Sequence, residues 1–287
     1  MAETPRPIEE RLPHLRRGLR DASHLLVCLD FDGTLAPIVE EPAAATITPT
    51  NVAALEALGS DERVRTAVVS GRGLADVRER VDAPDVYAGN HGLEIAGEGS
   101  VAVHPVARER AALIGAVCGF LEIALESVPG SRVENKRLTG TVHVRSVPES
   151  VRPLVRRTVD DAVSLFGEGD LEVSAGRCVI EVSPAIDWGK GEAVAALTEG
   201  HPGDPFVVYA GDDVTDESAF RTVEPGGLGV LVGERRESAA SAWLHSPAAT
   251  ASLLWWLADV GVELLADGES GRFPRERDTG SERYHNR

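Results

Sequence analysis

Short apolar runs alternate with amphipathic segments along the first part of the chain. The run at 25–29 is rich in β-forming residues, and similar runs lie at 63–69 and 86–88, so each predicts a buried strand. The segments between them, 50–58 and 74–81, predict helices, with a threonine near the start of the first as its cap. Strands that alternate with helices in this way predict a parallel, right-handed α/β sheet.

The pattern changes in the middle of the chain, where helices are followed by hairpins. Amphipathic helices are predicted at 108–128, with Phe120 on the apolar face, and at 149–166, with Leu154 on the apolar face. Each is followed by two strand-like segments, at 131–137 and 140–146 and at 171–174 and 178–183. Helix–hairpin units do not continue a parallel sheet, so they predict an inserted α+β unit.

The alternation of strands and helices then resumes. Strands are predicted at 205–210 and 229–232, and a long helix at 250–265, with Trp255 as a packing residue. The whole pattern predicts an α/β fold with a Rossmann-like, parallel-sheet core and an inserted α+β cap domain. The expected boundaries are 1–104 and 186–270 for the core, with 1–22 as an edge element or partly mobile lead-in, 105–185 for the cap, and 271–287 for a disordered tail.

The two hairpins of the insert alternate in polarity. Val142 and Val144 would face one side in the first hairpin, as would Ile180 and Val182 in the second. An antiparallel sheet covered by helices on one side has a free second face. That face would carry a mixture of donors and acceptors: Glu134, Lys136, His143, Arg145 and Glu181. Such a face suits a sugar, although it could also be a merely solvated sheet surface.

Composition and charge exclude several classes of partner. The 287 residues are 43% hydrophobic and 26% charged, as in a globular protein with a sizeable core. The formal net charge of −17 argues against nucleic acid and anionic membranes, but local cations and a metal could still bind a phosphorylated substrate. The start lacks the apolar core of a signal peptide, and no stretch is long enough to span a bilayer. We therefore expect a cytoplasmic protein in which Cys28, Cys118 and Cys178 are reduced core residues.

Four loops carry the candidate chemistry. They supply a carboxylate pair, a hydroxyl, an ammonium and an acidic cluster: Asp30 and Asp32, Ser70, Lys190, and Asp212, Asp213 and Asp216. On their own, Asp30 and Asp32 followed by Gly33 could form an ordinary turn. Phosphoryl transfer, however, needs an oxygen nucleophile, a divalent cation and donors around the phosphate oxygens, and Mg²⁺ prefers carboxylate and phosphate ligands. The four loops together therefore predict magnesium-dependent phosphoryl transfer.

The order of these motifs resembles the haloacid dehalogenase superfamily. The resemblance implies that Asp30 is the nucleophile, forming an aspartyl-phosphate, and that Asp32 protonates the departing sugar oxygen and then activates water. It implies that Ser70 binds the phosphate and that Lys190 holds Asp30 and the phosphoryl group. The implied Mg²⁺ ligands are Asp30, the main-chain carbonyl of Asp32 and Asp212, with Asp213 and Asp216 as supporting residues.

Further motifs are similar to those of trehalose-6-phosphate phosphatases. They lie at 89–92, 134–136, 143–145, 181–184, 188–191 and 211–217, and the similarity covers roughly residues 24–265. It implies that the insert is a lid that closes over a bound disaccharide and excludes competing water. The implied substrate-binding residues are Gly71, Arg72, Asn90, His91, Lys136, His143, Arg145 and Glu181.

The resemblance implies a small sugar phosphate as partner, with trehalose 6-phosphate as the leading candidate. Val144 departs from the family pattern, in which an aromatic residue is more usual between the histidine and the arginine. Phosphatases of other glycosyl or pseudo-disaccharide phosphates, such as validoxylamine A 7′-phosphate, could share nearly all these residues. The same core could also serve a sugar phosphomutase or a non-catalytic sugar-phosphate binder, although the intact pair Asp30 and Asp32 argues against the binder.

Overall fold

The computed structural model of the chain describes residues 4–176 and 178–266. The strands are β1 Arg6–Pro7, β2 His24–Leu29, β3 Val64–Val69, β4 Val86–Gly89, β5 Glu94–Gly97, β6 Ser100–Val103, β7 Arg132–Asn135, β8 Gly140–His143, β9 Leu171–Gly176, β10 Val179–Pro184, β11 Pro205–Gly211, β12 Leu228–Val232 and β13 Ala242–Leu244. The α-helices are α1 Ile8–Asp21, α2 Pro49–Leu58, α3 Leu74–Arg80, α4 Pro105–Ala124, α5 Arg152–Gly167, α6 Lys190–Glu199, α7 Glu217–Val223, α8 Pro247–Trp256 and α9 Val262–Leu264. The tail expected at 271–287, and Arg177 in the expected turn of the second hairpin, lie outside the described residues.

The larger sheet has nine strands in the order β1-β13-β12-β11-β2-β3-β4-β5-β6. Across the sheet from β1 through β13, β12, β11, β2 and β3 to β4, each strand pairs in parallel with the next, as expected. β5 and β6 instead add an antiparallel hairpin at the edge, which the sequence analysis did not predict. Its two-residue turn, Glu98 and Gly99, has positive φ at both positions, as tight hairpins require. A glutamate at the first turn position is unusual, and this concealed the hairpin.

Apolar side chains pack on both faces of this sheet. Along β2, Leu25, Val27 and Leu29 join one core cluster and Leu26 and Cys28 join the other. A strand buried on both faces explains why its sequence is apolar throughout. Among the described residues, no helix combines the length and the apolar character needed to cross a membrane.

The N-terminal segment forms the edge of the larger sheet. β1 pairs with β13, and α1 runs from Ile8 to Asp21. Leu15 and Leu19 are completely buried by α1, so this segment is packed on the core and is more than a lead-in.

The smaller sheet has four antiparallel strands in the order β7-β8-β10-β9, with α4 and α5 packed against one face. Val142, Val144, Ile180 and Val182 point into the core between the sheet and the helices, as the alternation predicted. Residues 105–184, which contain this sheet and both helices, are called the small-sheet unit.

The apolar faces of α4 and α5 differ in part from the expected ones. Phe120 is 38% exposed and Leu154 is 52% exposed, so the prediction that they face the core was wrong. On α4 the core positions are held by one line of residues three and four apart: Ile114, Val117, Cys118 and Leu121. Phe120 lies beside this line, where the sheet does not reach.

Two other residues expected in the core are partly exposed. Cys178 has a φ of 61° at the end of the β9–β10 turn and lines a cleft, unlike the buried Cys28 and Cys118. Trp255 is 39% exposed, whereas its neighbour Trp256 packs on the core.

The carboxyl ends of β2, β3, β4 and β11 meet at one edge of the larger sheet. Asp30, Ser70, Asn90 and Asp212 are the residues that directly follow these four strands. Because β2 lies between β11 and β3, Asp30 has the Asp212 loop on one side and the Ser70 loop on the other. This is the edge at which open α/β sheets bind ligands.

Candidate active site

Asp30 lies at the point where the backbone leaves β2. Its N–H donates to the carbonyl of Ala210 at 2.9 Å, so Asp30 is still tied to β11. Its side chain is 7% exposed, and Oδ1 lies 2.8 Å from Nζ of Lys190, the first residue of α6. The fold therefore places the expected nucleophile and the expected lysine in direct contact.

Lys190 is also held by Asp216. Lys190 Nζ donates to Asp216 Oδ1 at 2.7 Å, and the fully buried Asp216 also accepts from Tyr209 Oη at 2.5 Å and from the N–H of Asp213 at 2.9 Å. Tyr209 was not predicted. A tyrosine inside a buried apolar strand needs a hydrogen-bond partner, and this was the available signal. The Asp213 side chain accepts the N–H of Val214 and so caps the short turn that carries Asp216.

Gly33 allows the loops after β2 and β11 to approach closely. Its φ is +79°, and a Cβ at this position would lie 2.2 Å from Cγ of Asp212. Any side chain here would therefore collide with the Asp212 carboxylate as well as strain the backbone.

Asp30, Asp212 and Asp216 form a compact carboxylate cluster, in which one oxygen of each lies within 4.8 Å of the others. Burial, reinforced by Asp216, raises the pKa of Asp212 to about 7. Burial also raises the pKa of Asp30 well above its usual range, although Lys190 opposes this. The pKa of Lys190 is raised in turn, because its two carboxylate partners outweigh the effect of burial.

This donor set fits a divalent cation. Among the described residues, Lys190 is the cation in contact with the cluster, so three carboxylates face one positive charge. Oxygen donors with excess negative charge are what Mg²⁺ prefers. Asp216 already accepts three hydrogen bonds, which leaves Asp30 and Asp212 as the carboxylates with free oxygen atoms.

Ser70 lies on the other side of Asp30, at the end of β3. Its Oγ accepts the N–H of Arg72 at 3.2 Å, and its carbonyl accepts the N–H of His91 at 2.9 Å. A Cβ on Gly71 would lie 2.7 Å from the His91 ring. The loops after β3 and β4 are therefore packed against each other beside Asp30.

The carboxylate of Asp32 faces Arg72. Arg72 Nε donates to Oδ2 at 2.7 Å and Nη2 donates to Oδ1 at 2.8 Å, which is a bidentate pair. Arg72 also donates to Asp76 Oδ2 at 2.7 Å and to the carbonyl of Pro42 at 2.8 Å. The sequence predicted Arg72 as a substrate contact and did not indicate that its partner would be Asp32.

Residues of the small-sheet unit face this edge of the larger sheet. Glu181 Oε2 lies 3.3 Å from Nε2 of His91, and its Oε1 lies 3.8 Å from Nζ of Lys136. Burial opposes ionisation of Glu181, but the charge and hydrogen bond of His91, together with nearby lysines, lower its pKa to about 2. Lys136 Nζ also donates to the carbonyl of Gly71 at 2.9 Å.

The neighbouring positions of β7 and β8 are also polar. His143 Nε2 lies 2.7 Å from Oε2 of Glu134, and this hydrogen bond holds the pKa of Glu134 below its usual range. Arg145 is exposed beside the cleft, while Val144 points away into the core of the small-sheet unit. Thr141 was not predicted, although it lines the cleft, and its buried Oγ1 has no hydrogen-bond partner among the described residues.

Asn90 does not line the cleft as expected. It is fully buried, and its Nδ2 donates to Glu94 Oε1 at 2.7 Å and to the carbonyl of Lys136 at 3.2 Å. Asn90 Oδ1 accepts from Thr139 Oγ1 at 2.7 Å, and Glu94 also accepts from Arg137. Asn90 therefore ties the β7–β8 turn to the larger sheet. Sequence alone shows that these residues are polar but does not show which of them meet.

A cleft of about 510 Å³ lies between the two sheets. Its lining includes the predicted site residues Asp30, Asp32, Ser70, Gly71, Arg72, His91, Lys136, His143, Arg145, Glu181, Lys190, Asp212 and Asp213. The predicted residues Asn90 and Asp216 lie behind this lining and support it. The volume is typical of sites for small molecules.

Comparison with known proteins gives the same family that the motifs indicated. The trehalose-phosphatase family model matches residues 28–246. The chain is 39% identical over 243 residues to the trehalose-phosphate phosphatase of Mycobacterium ulcerans (strain Agy99), covering 81% of this chain and 61% of that protein. The chain thus spans about three fifths of the length of that relative.

Solved structures share the fold. The C-terminal domain of C. albicans trehalose-6-phosphate phosphatase matches with a TM-score of 0.74 at 26% identity, covering 90% of this chain and 98% of that one. A haloacid dehalogenase-like hydrolase from Bacteroides thetaiotaomicron matches with a TM-score of 0.58 at 16% identity, covering 80% and 98%, and shows the fold alone. The expected α/β haloacid dehalogenase fold is confirmed. Because the family model spans most of its length, the chain belongs to the trehalose-phosphatase family.

Proposed function

We propose that the chain hydrolyses trehalose 6-phosphate to trehalose and phosphate. The observation that supports this most directly is the buried Asp30, in contact with Lys190 and beside Asp212, in a cleft whose opposite wall is polar. This arrangement provides an oxygen nucleophile, a fixed cation and room for a sugar. Membership of the family, and the activity named for the M. ulcerans relative, support the choice of substrate.

In the proposed reaction, an Asp30 carboxylate oxygen attacks the phosphorus atom, and the bond from phosphorus to the sugar oxygen breaks. Asp32 gives its proton to that oxygen, so trehalose leaves and the phosphoryl group stays on Asp30. Asp32 then takes a proton from water as the water oxygen attacks the phosphorus atom. Phosphate is released, and Asp30 and Asp32 return to their starting states. Lys190 and Ser70 would stabilise the phosphoryl oxygens throughout.

We propose that Asp30, Asp212 and the main-chain carbonyl of Asp32 hold Mg²⁺, with Asp213 and Asp216 in supporting positions. Bound Mg²⁺ would balance the negative charge of the carboxylates and the phosphate oxygens. The excess of carboxylates over cations in the cluster supports this assignment.

We also propose that the small-sheet unit is a cap over the core, with boundaries at 105–185 in the chain. Its separate hydrophobic core and its polar face toward the cleft support this. Lys136, His143, Arg145 and Glu181 would bind sugar hydroxyl groups from that face. Closing the cap would exclude competing water from the phosphoryl group.

The test is phosphate release in the presence of Mg²⁺, with trehalose 6-phosphate, glucose 6-phosphate and other disaccharide phosphates offered in parallel. We expect a strong preference for trehalose 6-phosphate. Efficient release from a different disaccharide phosphate would be consistent with the proposed role of Asp30 but would overturn the proposal that the polar face of the cap binds trehalose.

Two further outcomes would contradict hydrolysis itself. Phosphate that moves to another position of the same sugar would indicate a phosphomutase. Binding of a sugar phosphate without any turnover would indicate a non-catalytic binder.

A further inference from the structure

Arg72 has few donors left for a substrate. A guanidinium carries five N–H groups. Four of them donate to the protein, one from Nε and one from Nη2 to Asp32, one from Nη1 to Asp76, and the second from Nη2 to the carbonyl of Pro42. Its guanidinium carbon also lies 5.3 Å from the centre of the Phe31 ring. Among the described residues, one N–H of Nη1 remains without a partner.

A phosphate group is usually bound by arginine through two parallel N–H groups. Arg72 could offer such a pair only by giving up an existing partner. The 11% exposure of its side chain shows how little of it reaches the cleft. Direct binding of the substrate phosphate is therefore not the role that its contacts favour.

The Asp32 side chain is far more accessible from the cleft than that of Arg72. It is 41% exposed, so packing does not fix the direction of its carboxylate. The bidentate contact with the anchored Arg72 does fix it, since it engages one lone pair of each carboxylate oxygen and leaves the other lone pair for the proton that is transferred. A proton donor or acceptor needs such a defined orientation toward the reacting oxygen.

We propose that Arg72 is a positioning residue that acts through Asp32. It holds the Asp32 carboxylate in the direction needed for proton transfer to the departing sugar oxygen and from the attacking water, without touching the substrate. The inference rests on the proposed function, because that proton transfer is part of it.

The role of the leaving group provides a test. A sugar alkoxide is strongly basic and needs a proton to depart, whereas p-nitrophenolate departs readily without one. Loss of Asp32 orientation should therefore lower kcat/KM, which reports the transfer of the phosphoryl group to Asp30, far more for sugar phosphates than for p-nitrophenyl phosphate, whereas the water step that follows is common to both. Loss of a phosphate-binding group should weaken both substrates alike.

The experiment compares wild type, Arg72→Met, Asp32→Asn and the double variant on trehalose 6-phosphate, glucose 6-phosphate and p-nitrophenyl phosphate with Mg²⁺. Arg80→Met is the matched control, because Arg80 also binds Asp76 and the carbonyls of Ala43 and Ala45 but does not contact Asp32. If Arg72 only stabilised this hydrogen-bond network, Arg80→Met should have the same kinetic effect as Arg72→Met.

We expect Arg72→Met to lower kcat/KM on the sugar phosphates about 100-fold, and kcat/KM on p-nitrophenyl phosphate less than about 10-fold. The double variant should be no slower than Asp32→Asn alone, since both changes remove the same step. Arg80→Met should keep the wild-type ratio between the two classes of substrate.

Equal losses of kcat/KM on every substrate, a rise in KM with kcat unchanged, or additive losses in the double variant would overturn the inference while leaving the proposed function intact. A wild-type chain that releases phosphate from none of the esters would overturn the proposed function and this inference with it. Circular dichroism and the Tm show whether Arg72→Met is folded. Arg72→Lys provides a second variant, which keeps the charge but cannot hold both oxygens, and it should show the same substrate dependence to a smaller degree.

Discussion

Three charged side chains of the candidate site are held by residues that are distant in the sequence. Asp30 contacts Lys190, Asp32 contacts Arg72, and Glu181 lies beside His91. The types of Asp30, Asp32 and Lys190 were predictable, because phosphoryl transfer requires carboxylates and a cation in strand-end loops, and Arg72, His91 and Glu181 were expected from the resemblance to the family. The pairing was not predictable, since it depends on distances of a few ångströms between loops that only the folded sheet brings together.

At this scale, Asp30→Asn should abolish turnover of sugar phosphates, by at least about 10⁴-fold, because the amide cannot accept the phosphoryl group. Binding of the substrate should remain measurable by calorimetry, since the cap residues and Lys190 are unchanged. Full activity in this variant would contradict the proposed mechanism.

Gly33→Ala should displace the Asp212 carboxylate and cost about 1–2 kcal/mol of stability from the positive φ alone. We expect Mg²⁺ to raise the Tm of wild type by a few degrees and that of this variant by much less. Gly99→Ala is the control, because Gly99 also has a positive φ, of 76°, but a Cβ there would meet nothing within 4 Å. Equal Mg²⁺ responses in both variants would argue against a metal bound through Asp212.

Among the elements, the strands predicted from continuous apolar runs were found close to their expected positions. The hairpin of β5 and β6 was missed, because half of its residues are exposed and its turn carries a glutamate. The apolar stripe of α4 was predicted correctly at Val117 and Leu121 but wrongly at Phe120. A helix twenty residues long carries more apolar positions than a four-stranded sheet can cover, and only the packing selects among them.

Val144, which stands where the family usually has an aromatic residue, lies just after strand β8, and the direction of its side chain determines what this difference affects. Its place between two polar positions of β8 and the following turn suggested an effect on sugar binding, but its side chain is 5% exposed and packs in the core of the small-sheet unit. Its difference from the family pattern therefore bears on packing and not on the lining of the cleft.

Val144→Phe should lower the free energy of unfolding by about 1–3 kcal/mol, because the larger ring overfills this core. The urea midpoint measures the effect, and Val101→Phe, at a position 53% exposed on β6, should change it little. The KM for the sugar phosphate should change less than about threefold. A large change in KM with unchanged stability would place residue 144 on the cleft side instead.

In the whole molecule, the polar contacts between the small-sheet unit, which we propose to be a cap, and the core concentrate in two places. The β7–β8 turn is tied to the core through Asn90 and Glu94, while Glu181 approaches His91 across the cleft. The first set is buried and consists largely of direct hydrogen bonds, so it forms a fixed attachment of the cap.

The lowered pKa of Glu181 makes stability depend on pH. Its pKa is about 2 in the folded chain, against an ordinary value of 4.5, so its contribution is fully present above pH 4.5 and is lost as the pH falls toward 2. The full contribution is on the order of 3 kcal/mol. Glu181→Gln should therefore flatten the decline of Tm between pH 4.5 and pH 2, while Glu172→Gln, at an exposed position of β9, should leave it as in wild type. An identical decline in Glu181→Gln and wild type would show that this carboxylate does not link the cap to the core.

By itself, the sequence determined the order of strands and helices, the insertion of a second unit, the family and the loops that carry the chemistry. These follow from local periodicity and from residue types at strand ends, which do not depend on distant contacts. Only the tertiary structure decided that Asp216, which accepts from Tyr209, holds Lys190, that Asn90 is an attachment rather than part of the cleft lining, and that Arg72 donates to Asp32. Hydrogen bonds select partners by geometry, and several polar residues with the same chemistry compete for each partner until the packed sheets leave one arrangement.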